Sequence, residues 1–314
     1  MNNDIKASKV NQVENIKQIK NKSINQRIAV FGLLFGALGW GIIWFPYRIM
    51  AEAGFSGAAS SFYTYSIATI IAAVFFAKHW RSVFELPLSI VWLSIVAGWT
   101  NLAYVLAVID GEVMRIMLLF YLSPLWTLIL AHFWLKEKTN IKGYIVILVS
   151  LLGAFIMLYD PQISQLPLPR NTAEWLALSS GIGFSLTNVI TRQSTHLSIR
   201  AKSFAVWIGV LVVSIIYIVF TKEALPAPDF LSISNWMVVL LIALLLMAAT
   251  LLVQYGVTQI PATRASVIFL FELVVAAVAS YYLAHEVMDI NEWVGGSLIM
   301  LAAIFAANTQ GEQV

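Results

Sequence analysis

The sequence contains no cysteine, which excludes disulfides, thiolate metal sites and cysteine nucleophiles. Charge is also scarce. Only 11% of the 314 residues are Asp, Glu, Lys or Arg, too few to cover the surface of a water-soluble domain. The four histidines (His79, His132, His196 and His285) show no metal-ligand spacing, and His132 alone falls inside an apolar run, where packing is expected. There is no phosphate-cradling loop, so ATP-driven work is not expected of this chain, and no cofactor is implied. A paired-carboxylate, His-metal or Ser-base constellation is missing too, which leaves no basis for an intramembrane enzyme. The net charge of +3 is small and scattered, so nucleic acid is not an expected partner.

What the chain has is apolar sequence in long blocks, 60% of all residues. A helix rises 1.5 Å per residue, so about 20 apolar residues cross a bilayer core. Such blocks lie near 28–50, 55–77, 87–109, 112–134 and 141–159, and again near 172–191, 201–220, 234–258, 263–284 and 290–308. The pattern predicts an all-α integral membrane protein of ten transmembrane helices. Residues 1–27 are polar and lysine-rich, without a short apolar core and cleavage site, and read as a disordered cytoplasmic tail. Of the 19 Lys and Arg, only Arg48, Arg115, Arg170 and Lys222 fall on the outer side when both termini, 309–314 included, are placed inside. That bias predicts cytoplasmic termini, and a bacterial inner membrane is the expected location.

An internal repeat organises the chain. Shifted by 149 residues, the third to fifth spans overlay the eighth to tenth, with Arg115 on Arg264, Phe120 on Phe269, Glu137 on Glu286 and Ile141 on Ile290. A shift of 144 pairs Gly39 with Gly183 and Arg48 with Arg192. Five spans is an odd number, so the second copy must enter the membrane from the opposite face. Two inverted five-helix repeats follow, at 28–160 and 172–308, joined by a periplasmic linker at 161–171 that carries Pro161, Pro167 and Pro169. Inverted repeats mark secondary transporters that bind solute near the midplane.

The motif FYLSPLWTLILAHFWLKEKT, Phe120 to Thr139, and its partner FLFELVVAAVASYYLAHE, Phe269 to Glu286, resemble the ten-helix EamA-type members of the drug/metabolite transporter superfamily. The resemblance covers nearly all of 28–308. It implies a central cavity lined mainly by helices 1, 3, 4, 6, 8 and 9, and bacterial relatives that export amino acids and other metabolites. In the second motif Glu272 matches the usual Leu-Glu-Pro, whereas Leu273 stands where proline is common.

Glu272 is the leading candidate for transport chemistry. It lies about eight residues, roughly 12 Å, from the inner end of its helix. A charge at that depth costs several kcal/mol and usually faces a cavity, which makes Glu272 a candidate proton-coupling or amine-binding group. The bland alternative is a structural Glu bonded to a neighbouring helix. Gly32, Gly36, Trp40, Trp44 and Arg48 recur at intervals of four on the first span and share a face. The glycines allow close contact, Trp40 and Trp44 could wall a pocket, and Arg48 could meet a carboxylate. A packing seam with a snorkelling arginine would look the same. Asn101, Tyr104, Tyr121, Asn188 and Gln254 are further cavity candidates, although polar residues also bond helix to helix. Pro46 and Pro124 free the carbonyls of Ile42 and Phe120 and, with Arg48, Arg115, Arg192 and Arg264, are gating candidates. Glu137 and Glu286 are expected to end helices. Symmetry breaks near the midplane, where the counterpart of Glu272 in the repeat is Ser123 and that of Leu273 is Pro124.

These features favour alternating-access export of a small organic metabolite such as an amino acid. Protons are the candidate coupling ion, the bilayer is the surrounding partner, and the chain acts as a monomer or weak homodimer. Uptake or exchange is the nearest alternative. A non-transporting scaffold or receptor is the alternative of another class, and the inverted repeat argues against it.

Overall fold

The computed structural model describes residues 2–79, 87–110, 113–157, 159, 169, 171–226, 232–284 and 290–308, and every regular element among them is helical. In chain order these are α1 (Asn2–Glu52), α2 (Gly57–Phe76), α3 (Leu88–Asp110), α4 (Val113–Phe120), α5 (Ser123–Leu130) and α6 (Ile141–Met157). The second half holds α7 (Thr172–Gln193), α8 (Ile199–Thr221), α9 (Ile233–Gln259), α10 (Ala262–Phe269), α11 (Phe271–Ala279) and α12 (Ile290–Asn308). Six of these stretches are long and apolar enough to cross a membrane, and Ser123–Leu135, Ile141–Ile156 and Trp293–Ala306 are shorter apolar helices. The molecule is a multi-pass membrane protein.

Helix starts follow local chemistry. Ser56, Asn171, Ser198 and Ser232 each accept from the backbone N–H three residues on, at 2.9–3.2 Å, satisfying a donor that the first turn leaves orphaned. Lys222 closes α8 in the left-handed region, at φ 55°. The stretch before residue 28, expected to be disordered, is instead helical and continuous with the first span. Residues 1–27 contain neither proline nor glycine, so nothing in them stops the helix from running back.

Packing is arranged between the halves. α1 lies along α9 and α3 along α7, each pair joining one half to the other. α2 packs on α8, and α6 packs on α12. Exchanging the two halves reproduces this pattern. Gly32 and Gly36 sit against Leu252 and Val253 of α9, the close seam that their four-residue spacing suggests.

The internal repeat is visible in the element boundaries. α4 at 113–120 recurs as α10 at 262–269, and Ile141 starts α6 as Ile290 starts α12, each 149 residues later. A five-residue π turn at Ala131–Leu135 recurs at Ser280–Ala284 with the same offset.

Candidate functional site

Two helices break at equivalent heights. α4 ends at Phe120, Tyr121 and Leu122 turn, and α5 restarts with Pro124 in its first turn. Pro124 therefore begins a helix rather than kinking one, in a position where its missing N–H is not needed. The counterpart break falls at Leu270, between α10 and α11, although Leu273 replaces the proline. Bonds from Leu270 to Val267 and from Leu273 to Leu270 tighten the chain there into a turn of i→i−3 type. At this height α1 leans on the backbone. A Cβ on Gly41 would stand 2.8 Å from the Glu272 carbonyl and 2.7 Å from Cβ of Val275. Packing, not proline, accompanies the second break.

Six rings gather where the breaks meet. Trp40 of α1 lies 5.6 Å from Phe269 and 6.0 Å from Phe184 of α7, and Phe184 lies 5.2 Å from Phe269. Phe120 connects Phe184 at 5.7 Å to Tyr121 at 5.2 Å and to Tyr104 of α3 at 4.8 Å. Five elements thus contribute to one aromatic cluster. Glu272, in the first turn of α11, borders it. Its carboxyl is within hydrogen-bonding reach of the Tyr121 hydroxyl and close enough to Tyr104 to act on it electrostatically. Glu272, Trp40, Tyr104 and Phe184 remain half-buried, while Tyr121 is 4% exposed.

Several polar atoms near these helices lack partners among the described residues. Trp44 Nε1, Asn101 Oδ1 and Asn188 Nδ2 are buried and unpaired. The other end of the Asn101 amide donates to the Tyr65 hydroxyl at 3.0 Å. Each orphan costs about 1–3 kcal/mol unless a water or another polar group meets it. All three residues are among the cavity candidates read from the sequence, and buried unpaired atoms also occur elsewhere, as at Trp126, Ser203 and Trp207.

A second polar cluster closes one end of the bundle. Glu137 accepts from Arg192 Nε through Oε1 at 3.1 Å and from the Ala262 backbone N–H through Oε2 at 3.1 Å. Arg192 also donates to the Thr258 carbonyl at 2.5 Å. Lys202, fully buried, donates to the Thr258 hydroxyl at 2.5 Å and to the Thr191 carbonyl at 3.4 Å. The Thr191 hydroxyl donates to Gln254 Oε1 at 2.9 Å. Glu137 is thus no simple helix terminator. The π turn is ended by Lys136 at φ 55°, which leaves the Glu137 side chain free to join the first half to the second. Gln254 belongs to this cluster, and its carboxamide oxygen is occupied by Thr191. Lys202 was not legible from sequence, because a lysine four residues into a helix ordinarily snorkels outward.

The remaining candidates are scattered. Arg48 is exposed and pairs with Glu52 of its own helix at 3.5 Å, so it faces away from the cluster. Pro46 lies inside a helix that continues through it. Arg264, a gating candidate, is buried, and its guanidinium donates to the Ala306 carbonyl of α12. His132, expected to be packed, is exposed on the π turn with its ring edge on Phe133 at 5.1 Å. Glu286, Arg170, His285 and most of the linker at 161–171 lie outside the described residues, as does the Arg115 side chain.

Comparison with known proteins bears on this arrangement. The sequence profile of the EamA-like transporter family matches residues 27–159 and again 171–308. The uncharacterized transporter YoaV of Bacillus subtilis (strain 168) is 24% identical over 184 residues, which make up 58% of this chain and 62% of that relative. A solved crystal structure of a protein 15% identical in sequence superposes with a TM-score of 0.71, over 89% of this chain and 97% of the other.

Proposed function

This chain belongs to the EamA-like transporter family, and from that premise we propose that it is a secondary active exporter of a small organic metabolite, working by alternating access. Amino acids are among the candidate cargoes. The observation that carries the reading is the meeting of two interrupted helices at Glu272 and Tyr121, beside an aromatic cluster drawn from both halves. Interrupted helices put backbone dipoles and unpaired backbone groups at mid-membrane, where a solute must be held for release to either face. In this reading the six long spans, the three shorter apolar helices and the more polar α7 are taken together as ten crossings. The lysine and arginine bias puts both termini, and the Glu137–Arg192 cluster, on the cytoplasmic side of a bacterial inner membrane.

Glu272 is the proposed proton-coupling group. It is the acid set deepest in a span, and a transmembrane carboxyl that exchanges a proton can draw on a pH gradient. The Glu137–Arg192 cluster is the proposed cytoplasmic gate, since it ties the end of the first half's broken region to α7 and to the start of α10.

Purified protein in liposomes, offered a panel of radiolabelled amino acids and other metabolites with and without a pH gradient, tests the reading. Export driven by an inward proton gradient, and lost in Glu272→Gln, is the expected result. Flux in the opposite sense would favour uptake or exchange. No flux of any solute in either direction would favour the scaffold or receptor reading.

A further inference from the structure

Within the transporter reading above, we infer that four rings at the centre of the bundle form two shutters that close in turn. Phe184 with Phe269 shuts the inner side in this structure, which is therefore the outward-facing state. Trp40 with Phe120 shuts the outer side when the carrier faces the cytoplasm.

The inference begins with the repeat. The offset of 149 residues that carries α4 onto α10 carries Phe120 onto Phe269, each the last residue of its eight-residue helix. The offset of 144 that carries the first span onto α7 carries Trp40 onto Phe184. The four rings are thus two symmetry-related pairs, and every contact among them has a counterpart. Trp40 meets Phe269 at 5.6 Å and 48°. The counterpart, Phe184 on Phe120, stands at 5.7 Å and 49°. Trp40 on Phe184, at 6.0 Å, is its own counterpart. To this point the two halves match.

The match fails at one contact. Phe184 and Phe269 meet at 5.2 Å, but the related pair does not: Trp40 has ring contacts with Phe184 and Phe269 and none with Phe120. The apolar packing agrees. Phe184 packs against both the core around Phe269 and the core around Phe120, whereas Trp40 joins only the first of these two. Inverted repeats exchange the inner and outer faces, so a contact made once and missing once is the mark of a carrier held in one of two states. α10 starts at Ala262, whose N–H is bonded to Glu137, so the contact that is made lies toward the proposed gate. The arginines break the symmetry in the same direction. Arg192 is bonded to Glu137, while Arg48, its counterpart at the offset of 144, is exposed and pairs only within its own helix among the described residues. With the lysine and arginine bias, the closed side is the cytoplasmic one.

The test uses the full chain, which has no cysteine of its own. Phe184→Cys with Phe269→Cys and, separately, Trp40→Cys with Phe120→Cys are treated in membrane vesicles with a short bifunctional methanethiosulfonate. The first pair should cross-link at least about tenfold faster than the second, and adding Glu137→Gln should slow the first pair and speed the second. Equal rates for the two pairs, or a Glu137→Gln that moves both together or neither, overturn the inference. A second reporter keeps all four rings, in case a paired variant fails to fold. Tyr104→Cys, half-buried against Phe120, should react with an impermeant trimethylammonium-ethyl methanethiosulfonate about tenfold faster from the periplasmic side than from the cytoplasmic side. Equal reaction from both sides, or faster reaction from the cytoplasm, also overturns it. Flux in liposomes separates this inference from the reading it rests on. Solute flux with both pairs cross-linking alike sinks the shutters alone. Opposed cross-linking with no flux of any solute sinks the transport reading and leaves a two-state ring switch standing.

Discussion

A carboxylate in the first turn of α11 receives partial compensation from the free N–H groups of that half-helix, about 0.3–1 kcal/mol. The Tyr121 hydroxyl supplies a further share by hydrogen bonding, so Tyr121→Phe removes a group that acts through Glu272 while keeping the ring. The expected effect is a change in cargo affinity of roughly fivefold, the equivalent of about 1 kcal/mol, with little effect on thermal unfolding. An unchanged titration curve would show that the hydroxyl does not position the acid. Gly41 acts by its lack of a side chain. A Cβ there would meet the Glu272 carbonyl at 2.8 Å, which is backbone and cannot swing away. Gly41→Ala should therefore destabilise the protein by about 1–3 kcal/mol. Gly296→Ala, whose new Cβ would come no nearer than 3.8 Å to Val274, should be neutral to within about 0.5 kcal/mol. Paired thermal melts in one detergent check both. Depth and charge made Glu272 legible in the sequence. Gly41 was not, because its role depends on a helix more than 200 residues away in the chain.

At the level of helices, the proposed gate at Glu137 is a latch with three handles: Arg192, the Ala262 N–H and, through Thr258, Lys202. Glu137→Gln keeps the shape and weakens two of its bonds. Because the chain has no cysteine, a single introduced thiol is unambiguous. Val189→Cys, buried on α7 between the aromatic cluster and the latch, should react slowly with a membrane-impermeant maleimide from the cytoplasmic side. Adding Glu137→Gln should speed that reaction roughly tenfold, as expected when a charge-assisted contact is lost from the closed state. Equal rates would mean that the cluster holds helices together without gating them. Hydropathy located most element boundaries to within two or three residues, since a long apolar block is a strong signal. The helix breaks were less legible. Proline suggested one, but the second sits at Leu270 with no proline at all, and only tertiary contact with α1 accompanies it. Arg192 was a gating candidate from its charge, yet its partner Glu137, 55 residues earlier, was read as a local helix end.

The whole molecule is two halves that clasp each other, because α1 lies against α9 and α3 against α7. Each half leaves apolar and small-residue surface that only the other half covers. Residues 1–160 made alone should therefore insert but remain open to protease. Residues 1–160 and 171–314 made together as separate chains should assemble and restore flux to within roughly threefold. Failure of the two pieces to co-purify would mean that the connecting segment does more than tether. The repeat was legible because charged positions and boundaries recur, whereas the pairing of α1 with α9 was not, since apolar faces carry little information about which partner they choose.

The α1–α9 seam also has a consequence in time. About 180 residues separate the end of α1 from the start of α9. At roughly 5–20 residues per second, synthesis leaves α1 waiting on the order of 10–40 s for the surface that Gly32 and Gly36 fit. Until then lipid or the insertion machinery must occupy that groove, and the second half has to displace it. The seam can therefore form only after α9 is made, and slowing the ribosome between the halves should lengthen the protease-sensitive phase of each newly made chain.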